Sequence, residues 1–169
     1  MKRIILIAVA CALVLLVFSA TASAKRVDRP FKGCVSGQVV FTPDPASPSP
    51  TGLWTDSSAV GHVSHLGRTV MSSRHPTPTG DTITGGNMKL VAANGDEVRI
   101  AYSGSAPFPV MGVPSTIVVA VDFTIVGGSG RFAHASGGGE MTGYVEFPGE
   151  LNLGPWPACW TWRHATIRY

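Results

Sequence analysis

The sequence predicts an all-β fold, an eight-stranded antiparallel up-and-down β-barrel, and three observations lead to it. After residue 24 no long window places apolar residues at helical spacing. Eight segments rich in Val, Ile and Thr have the composition of strands. Short glycine-rich turns separate several of them, which favours a meander, and closing a meander into a barrel removes its exposed edges.

Residues 1–24 form the first element and are predicted to be a cleaved secretion signal. Lys2 and Arg3 precede an apolar run of 15 residues, and Ala22-Ser23-Ala24 offers the small side chains that signal peptidase accepts. The run is shorter than the roughly 20 residues that span a bilayer. We therefore expect a secreted protein, extracellular or periplasmic, with no membrane attachment after cleavage and one domain over residues 25–169. Acylation at Cys11 is a minor alternative.

The strands are expected in the segments with alternating or β-branched composition. These are Gly33–Thr42, Val60–Met71, Thr82–Ala92, Glu97–Gly104, Thr116–Val126, Gly130–Ala135, Glu140–Phe147 and Trp160–Arg168. Alternation is clearest in the fifth strand, where Ile117, Val119, Val121, Phe123 and Ile125 share one face. That face is predicted to point into the barrel.

Turn and loop residues lie between these segments. Asn94-Gly95-Asp96 suits a tight hairpin, and two glycine clusters at 127–130 and 137–139 permit further reversals. The proline-rich stretch 42–50 is predicted to be a long surface loop. A second, 106–114, mixes prolines with apolar residues, and either lies over one mouth of the barrel or simply packs against it.

Cys34 and Cys159 remain after cleavage and would lie in an oxidising compartment, so we predict that they form a disulfide. Barrel closure would make the first and last strands neighbours, which agrees with this pairing. A reactive free thiol would need a base and positive surroundings, and neither cysteine has these beside it in the sequence.

The low net charge after signal cleavage argues against a nucleic-acid partner. Removing Lys2 and Arg3 lowers the formal net charge from +3 to about +1. The remaining N-terminal basic residues, from Lys25 to Lys32, resemble a solvated tail. Nucleic-acid binding would need a basic face with stacking aromatic side chains, so no nucleic-acid partner is predicted.

The segment from Phe123 to Gly137 resembles the strand-turn-strand signature of the allene oxide cyclase and dirigent protein superfamily. Weaker similarity covers 61–68, 92–96 and 138–143. The resemblance implies an eight-stranded barrel. It implies no single activity, because the superfamily includes cyclases, proteins that guide radical coupling without catalysing oxidation, and members with no known task. The superfamily's acidic lumen positions lie outside the matching segment, so no residue role is carried over.

Four polar residues in the predicted strands are weak candidates for acid–base chemistry: Asp122, His164, Glu140 and His62. A carboxylate or imidazole on a buried face has its pKa shifted, which prepares it for proton transfer. Alternation favours a solvated Asp122, opposite the apolar face of its strand. His62 and His65 fall on opposite faces of a strand and cannot share a metal, so we predict no metal and no cofactor.

Aromatic residues of the last strand suggest a binding function. Trp160 and Trp162, with His164 as a polar partner, could stack on a flat ligand or could seal the end of the barrel. The leading hypothesis is a non-enzymatic binder of a small apolar or aromatic molecule or of a protein partner. The alternatives are a cofactor-free isomerase or cyclase acting in the lumen, and a structural surface protein that forms homo-oligomers.

Overall fold

A computed structural model describes residues 27–150 and 152–169, so the predicted signal segment lies outside the described residues. The described chain forms nine strands and one short 3-10 helix. They are β1 (Arg29–Pro30), β2 (Gly33–Pro43), β3 (Leu53–Val63), β4 (Gly67–Pro76), β5 (Thr82–Ala92), β6 (Glu97–Ser105), β7 (Ser115–Gly128), the 3-10 helix (Gly130–Phe132), β8 (Ser136–Phe147) and β9 (Trp156–Arg168). In residues 27–150 and 152–169, no helix is long and apolar enough to cross a membrane.

The strands form a closed antiparallel barrel. From β2 to β9 each strand pairs with the next in sequence, and β9 pairs with β2 as well as β8. The short β1 extends the β2 side of this seam, pairing with the last residues of β9. The predicted eight-stranded up-and-down barrel is therefore confirmed, with one extra strand at the seam.

Two of the eight strand predictions are wrong. One predicted strand is in fact two strands and another is not a strand, so the total of eight barrel strands is still correct. The segment Val60–Met71 is not one strand, because the chain reverses at residues 64–66 and pairs Val63 with Gly67. His65 adopts a left-handed backbone there, with φ of 69°. The segment Gly130–Ala135 contains the 3-10 helix instead of a strand, and its Phe132 is fully buried.

The predicted disulfide is also wrong in this structure, since both cysteines are free thiols. The adjacency of their strands is confirmed, but Cys34 lies opposite Thr161 and Cys159 lies opposite Ser36. Residues offset in this diagonal way are about 7–8 Å apart in an antiparallel pair. A disulfide requires Cα atoms within roughly 7 Å, so the register does not favour the bridge.

Large side chains fill one end of the barrel, where β3 turns into β4 and β5 turns into β6. Phe31, Phe132 and Trp162 are each at most 2% exposed and form the centre of this plug. The Phe31 ring meets the Trp162 ring edge-on at a centroid distance of 6.2 Å. Ion pairs surround the plug, including Arg168 with Asp28 at 2.8 Å. This end of the lumen is therefore closed by packing.

The backbones of β2 and β3 approach closely beside the seam, where Gly37 of β2 pairs with Ala59 and with Ala158. A Cβ atom on Gly37 would overlap the carbonyl oxygen of Ser58. We expect Gly37→Ala to lower the free energy of unfolding by about 2 kcal/mol, because backbone must move to relieve the overlap. Urea denaturation measures this change.

Gly80→Ala is the matched control, since a Cβ there meets no atom within 4 Å. Its effect should stay within about 0.5 kcal/mol. Equal stability of the two variants would show that β2 and β3 do not approach as closely as the structure has them.

Candidate functional site

The end of the barrel opposite the plug contains a cavity of about 580 Å³. It lies where β2, β4, β6 and β8 end and where β3, β5, β7 and β9 begin. An eight-stranded barrel has just enough interior for side chains or for one small ligand. Here the plug fills one half of the interior, and the cavity occupies the other.

One wall of the cavity is polar and comes from β3 and β4. Thr55 pairs with His75 across these strands, and Ser57 pairs with Ser73, so four polar side chains point inward together. Thr55, Ser57 and His75 are only 7–8% exposed. Hydroxyl and imidazole groups therefore replace the aliphatic residues expected on an inward strand face.

The facing wall is apolar and comes from β7 and β8. Ile117 pairs with Val145, and Val121 pairs with Met141, all lining the cavity with Val119 between them. In the strand order β3 and β7 are four places apart, which puts them on opposite sides of an eight-stranded barrel. The predicted inward face of β7 is confirmed, and its first residues form this wall.

Aromatic side chains form the rim between the two walls. Trp156, at the start of β9, packs edge-on against Phe41 with ring centroids 4.7 Å apart. Its indole nitrogen donates a hydrogen bond of 2.7 Å to the Asn152 side-chain oxygen. Trp160 lies two inward positions further along β9, beyond Ala158, and also lines the cavity. The rim aromatics are thus fixed in position by packing and by a hydrogen bond.

The apolar loop 106–114 lies over the mouth, as one of the two sequence interpretations proposed. Residues 106–109 line the cavity. The Asp81 carboxylate accepts a hydrogen bond of 3.1 Å from the Phe108 amide, which fastens one end of the loop. The Gly112 amide donates to the Gly149 carbonyl at 2.8 Å and fastens the other. The loop therefore bridges the mouth between the β4–β5 and β8–β9 connections.

His75 and Tyr102 form a buried hydrogen bond of 2.9 Å between the imidazole Nδ1 and the phenol oxygen. They come from β4 and β6, with β5 between them. Gly86 of β5 makes this contact possible, because a Cβ there would overlap the Tyr102 ring. Because Gly86 has no side chain, the Tyr102 phenol reaches across β5 to His75.

Burial keeps both members of this pair neutral at physiological pH. It lowers the pKa of His75 to about 4, against a smaller opposing effect of the Asp56 carboxylate. It raises the pKa of Tyr102 to about 12, although a hydrogen bond with Ser73 opposes the shift. The polar wall therefore carries hydrogen-bonding groups without a formal charge.

None of the four acid–base candidates from the sequence lies in the cavity. Asp122, His62, Glu140 and His164 are all exposed on the outer surface. The interpretation of Asp122 as solvated is confirmed. Glu140 and His164 contact each other, with His164 Nδ1 at 3.2 Å from a Glu140 carboxylate oxygen.

His164 breaks the alternation used to place it beside Trp162. The register between β8 and β9 shifts at Gly138 and Glu140, and His164 has a left-handed backbone with φ of 46°. Such a bulge inserts one residue into the strand and turns it out of the ladder. His164 therefore points to solvent and is not a polar partner of the tryptophans.

The two tryptophan candidates have different positions. Trp160 lines the cavity, whereas Trp162 lies in the plug against Phe31. One of them can contact a ligand and the other seals the closed end. No group of three or more His, Cys, Asp or Glu side chains in residues 27–150 and 152–169 is arranged to hold a metal.

The polar wall of Thr55, Ser57, Ser73 and His75, and the Tyr102 side chain that bonds to it, are not among the residues predicted from the sequence. Residues 53–59 lie outside the eight predicted strands, and so does His75. One signal was present in the sequence, since Thr55, Ser57 and Ala59 alternate in register with Val63.

Comparison with protein-family models, curated proteins and solved structures found no match to this chain, so the superfamily resemblance stays a prediction.

The buried His75 makes the fold sensitive to acid. The unfolded chain takes up a proton near pH 6.5, whereas folded His75 resists protonation until about pH 4. Acid therefore favours the unfolded state across this interval. Between pH 7 and pH 4 we expect the wild type to lose about 3 kcal/mol more unfolding free energy than His75→Gln does.

Urea titrations at the two pH values give this difference, and His62→Gln is the control because His62 is exposed. The control should lose stability with acid as the wild type does. If His75→Gln keeps the full acid sensitivity of the wild type, His75 is not the buried neutral group described above.

Proposed function

We propose that this protein is a secreted, cofactor-free binder of one small apolar or aromatic molecule, held in the cavity at the open end of the barrel. The observation that carries the proposal is the cavity itself. Its volume of about 580 Å³ lies within the roughly 300–1,000 Å³ typical of small-molecule sites. Its lining is mostly aliphatic and aromatic with a few convergent polar groups, which is the usual chemistry of such sites.

The position of the titratable residues favours binding over catalysis. All four acid–base candidates from the sequence are on the outer surface. His75 and Tyr102 do line the cavity, but burial disfavours the charged form of each. A general base works best with a pKa near the operating pH, and the lowered pKa of His75 makes it a weak one. A lumen isomerase or cyclase therefore has less support than a binder.

The rim supports selection of flat or elongated apolar molecules. Phe41 and Trp156 stand edge-on at the mouth, and Trp160 extends the aromatic surface inward. Side chains with aromatic faces gain stacking energy beyond the area that they bury. A ligand with a ring system would contact Trp160 and the β7 residues together.

Direct binding measurements test the proposal. Mature protein is titrated into pyrene, an uncharged aromatic probe, and energy transfer from the tryptophans to pyrene is followed. Binding should also raise the melting temperature, because a ligand that binds only the folded state stabilises it. Absence of energy transfer and of any thermal shift, with pyrene and with a long-chain alcohol, would overturn the proposal.

Two tryptophan substitutions on adjacent residues of β7 locate the site. Ile117 lines the cavity, whereas Val118 is exposed on the outer face. Ile117→Trp should weaken pyrene binding at least about tenfold, because the indole occupies space that the ligand needs. Val118→Trp should leave the dissociation constant within about twofold. Equal effects of the two substitutions would place the site outside the lumen.

A further inference from the structure

Ser57 carries a hydroxyl group that the protein itself does not use. Its side chain lines the cavity and is 8% exposed, yet it makes no hydrogen bond within the described residues. Its neighbours on the polar wall do have partners, since Thr55 bonds to Thr77 at 2.9 Å and His75 bonds to Tyr102. Among the described residues, the fully enclosed side-chain atoms without a partner are the indole nitrogens of Trp54 and Trp162, so the Ser57 oxygen is reachable from the cavity. An unused hydroxyl in a cavity wall therefore points to a ligand that completes its bonding.

In the part of the chain that the structure describes, the cavity lining contains no charged side chain to balance a charged ligand. None of the residues around it is Asp, Glu, Lys or Arg. Burial favours the neutral form of His75, the one imidazole in the lining. Transferring an ionised carboxylate or ammonium into such a site is strongly unfavourable.

The surface around the mouth adds a second barrier to anions. Five carboxylates lie on the strand ends and loops at this end of the barrel. They are Asp44, Asp56, Asp81, Glu146 and Glu150. Among the described residues, Arg74 is the one Lys or Arg at this end, and Asp56 neutralises it at 2.6 Å. A surface of one sign repels ligands of that sign as they approach.

We infer that the ligand is an uncharged amphipathic molecule, with a flat apolar body and one neutral oxygen that hydrogen-bonds to the Ser57 hydroxyl. The inference rests on the proposed binding function and narrows its ligand to neutral alcohols, phenols or ketones. The body lies along Ile117, Val119 and Trp160, and the oxygen faces the β3–β4 wall. The oxygen of such a molecule matches the polar wall, and its apolar body matches the apolar wall.

Three probes with one ring system test the inference: pyrene, pyrenemethanol and pyrenecarboxylate at pH 7. Tryptophan-to-pyrene energy transfer gives a dissociation constant for each. We expect pyrenemethanol to bind about fivefold more tightly than pyrene, because it gains one hydrogen bond. Pyrenecarboxylate should bind at least about tenfold more weakly than pyrenemethanol, because its charge has no partner. Carboxylate binding as tight as that of the alcohol overturns the inference and leaves the proposed function standing.

Ser57→Ala identifies the contact, with Ser58→Ala as the matched control on the exposed outer face of the same strand. Ser57→Ala should remove the fivefold advantage of pyrenemethanol and leave pyrene affinity within about twofold. Ser58→Ala should change neither. An advantage that survives in Ser57→Ala overturns the role of Ser57. Failure of all three probes to bind the wild type overturns both this inference and the proposed function.

Discussion

The structure depends on one constraint, the closure of the sheet by β9. This strand pairs with β8 on one side and with β2 and the short β1 on the other, so it leaves no open edge at the seam. Closure fixes the number of strands around the axis and hence the width of the lumen. Every inward side chain must then fit in a cylinder of set radius. What differs along the barrel axis is only the size and polarity of the side chains that point inward.

That difference divides the lumen into two parts. At the closed end Phe31 lies in the short break between β1 and β2, where its buried ring contacts both Phe123 of β7 and Trp162 of β9. At the open end small inward residues such as Ser57 and Ser73 leave space that the facing valines do not fill. The plug provides the close packing that a barrel needs for stability, and the open end contains the cavity in which we propose that a ligand binds.

Much of the fold could be predicted from the sequence, because it follows from local patterns. The alternation of β7 and the Asn-Gly turn before β6 are confirmed, as is the adjacency of the first and last predicted strands. The errors arose where backbone geometry departs from the ideal strand. Left-handed His65 and Gly67 form a turn inside a segment predicted to be one strand, and a left-handed His164 reverses the faces at the end of β9. The offset of Cys34 from Cys159 is a matter of register, which composition does not specify.

The candidate site was harder to predict, since its members come from separate strands. His75 and Tyr102 meet only because Gly86 leaves the strand between them without a side chain. No local sequence pattern encodes such a contact across three strands. Acidic and basic residues stand out in a sequence, but in this barrel those proposed as catalytic face solvent. Serine, threonine and neutral histidine form the polar wall, and they resemble ordinary surface residues until the topology places them inside.

The proposed ligand occupies the open half of the lumen, between the polar and apolar walls. Nuclear Overhauser effects between pyrenemethanol and the methyl groups of labelled protein test it most directly. We expect contacts to Ile117, Val119 and Val145, and none to the outward Val118 or to Val63 beside the plug. Contacts to Val118 in place of Val119 would contradict it, because they would put the ligand on the outer surface of the barrel.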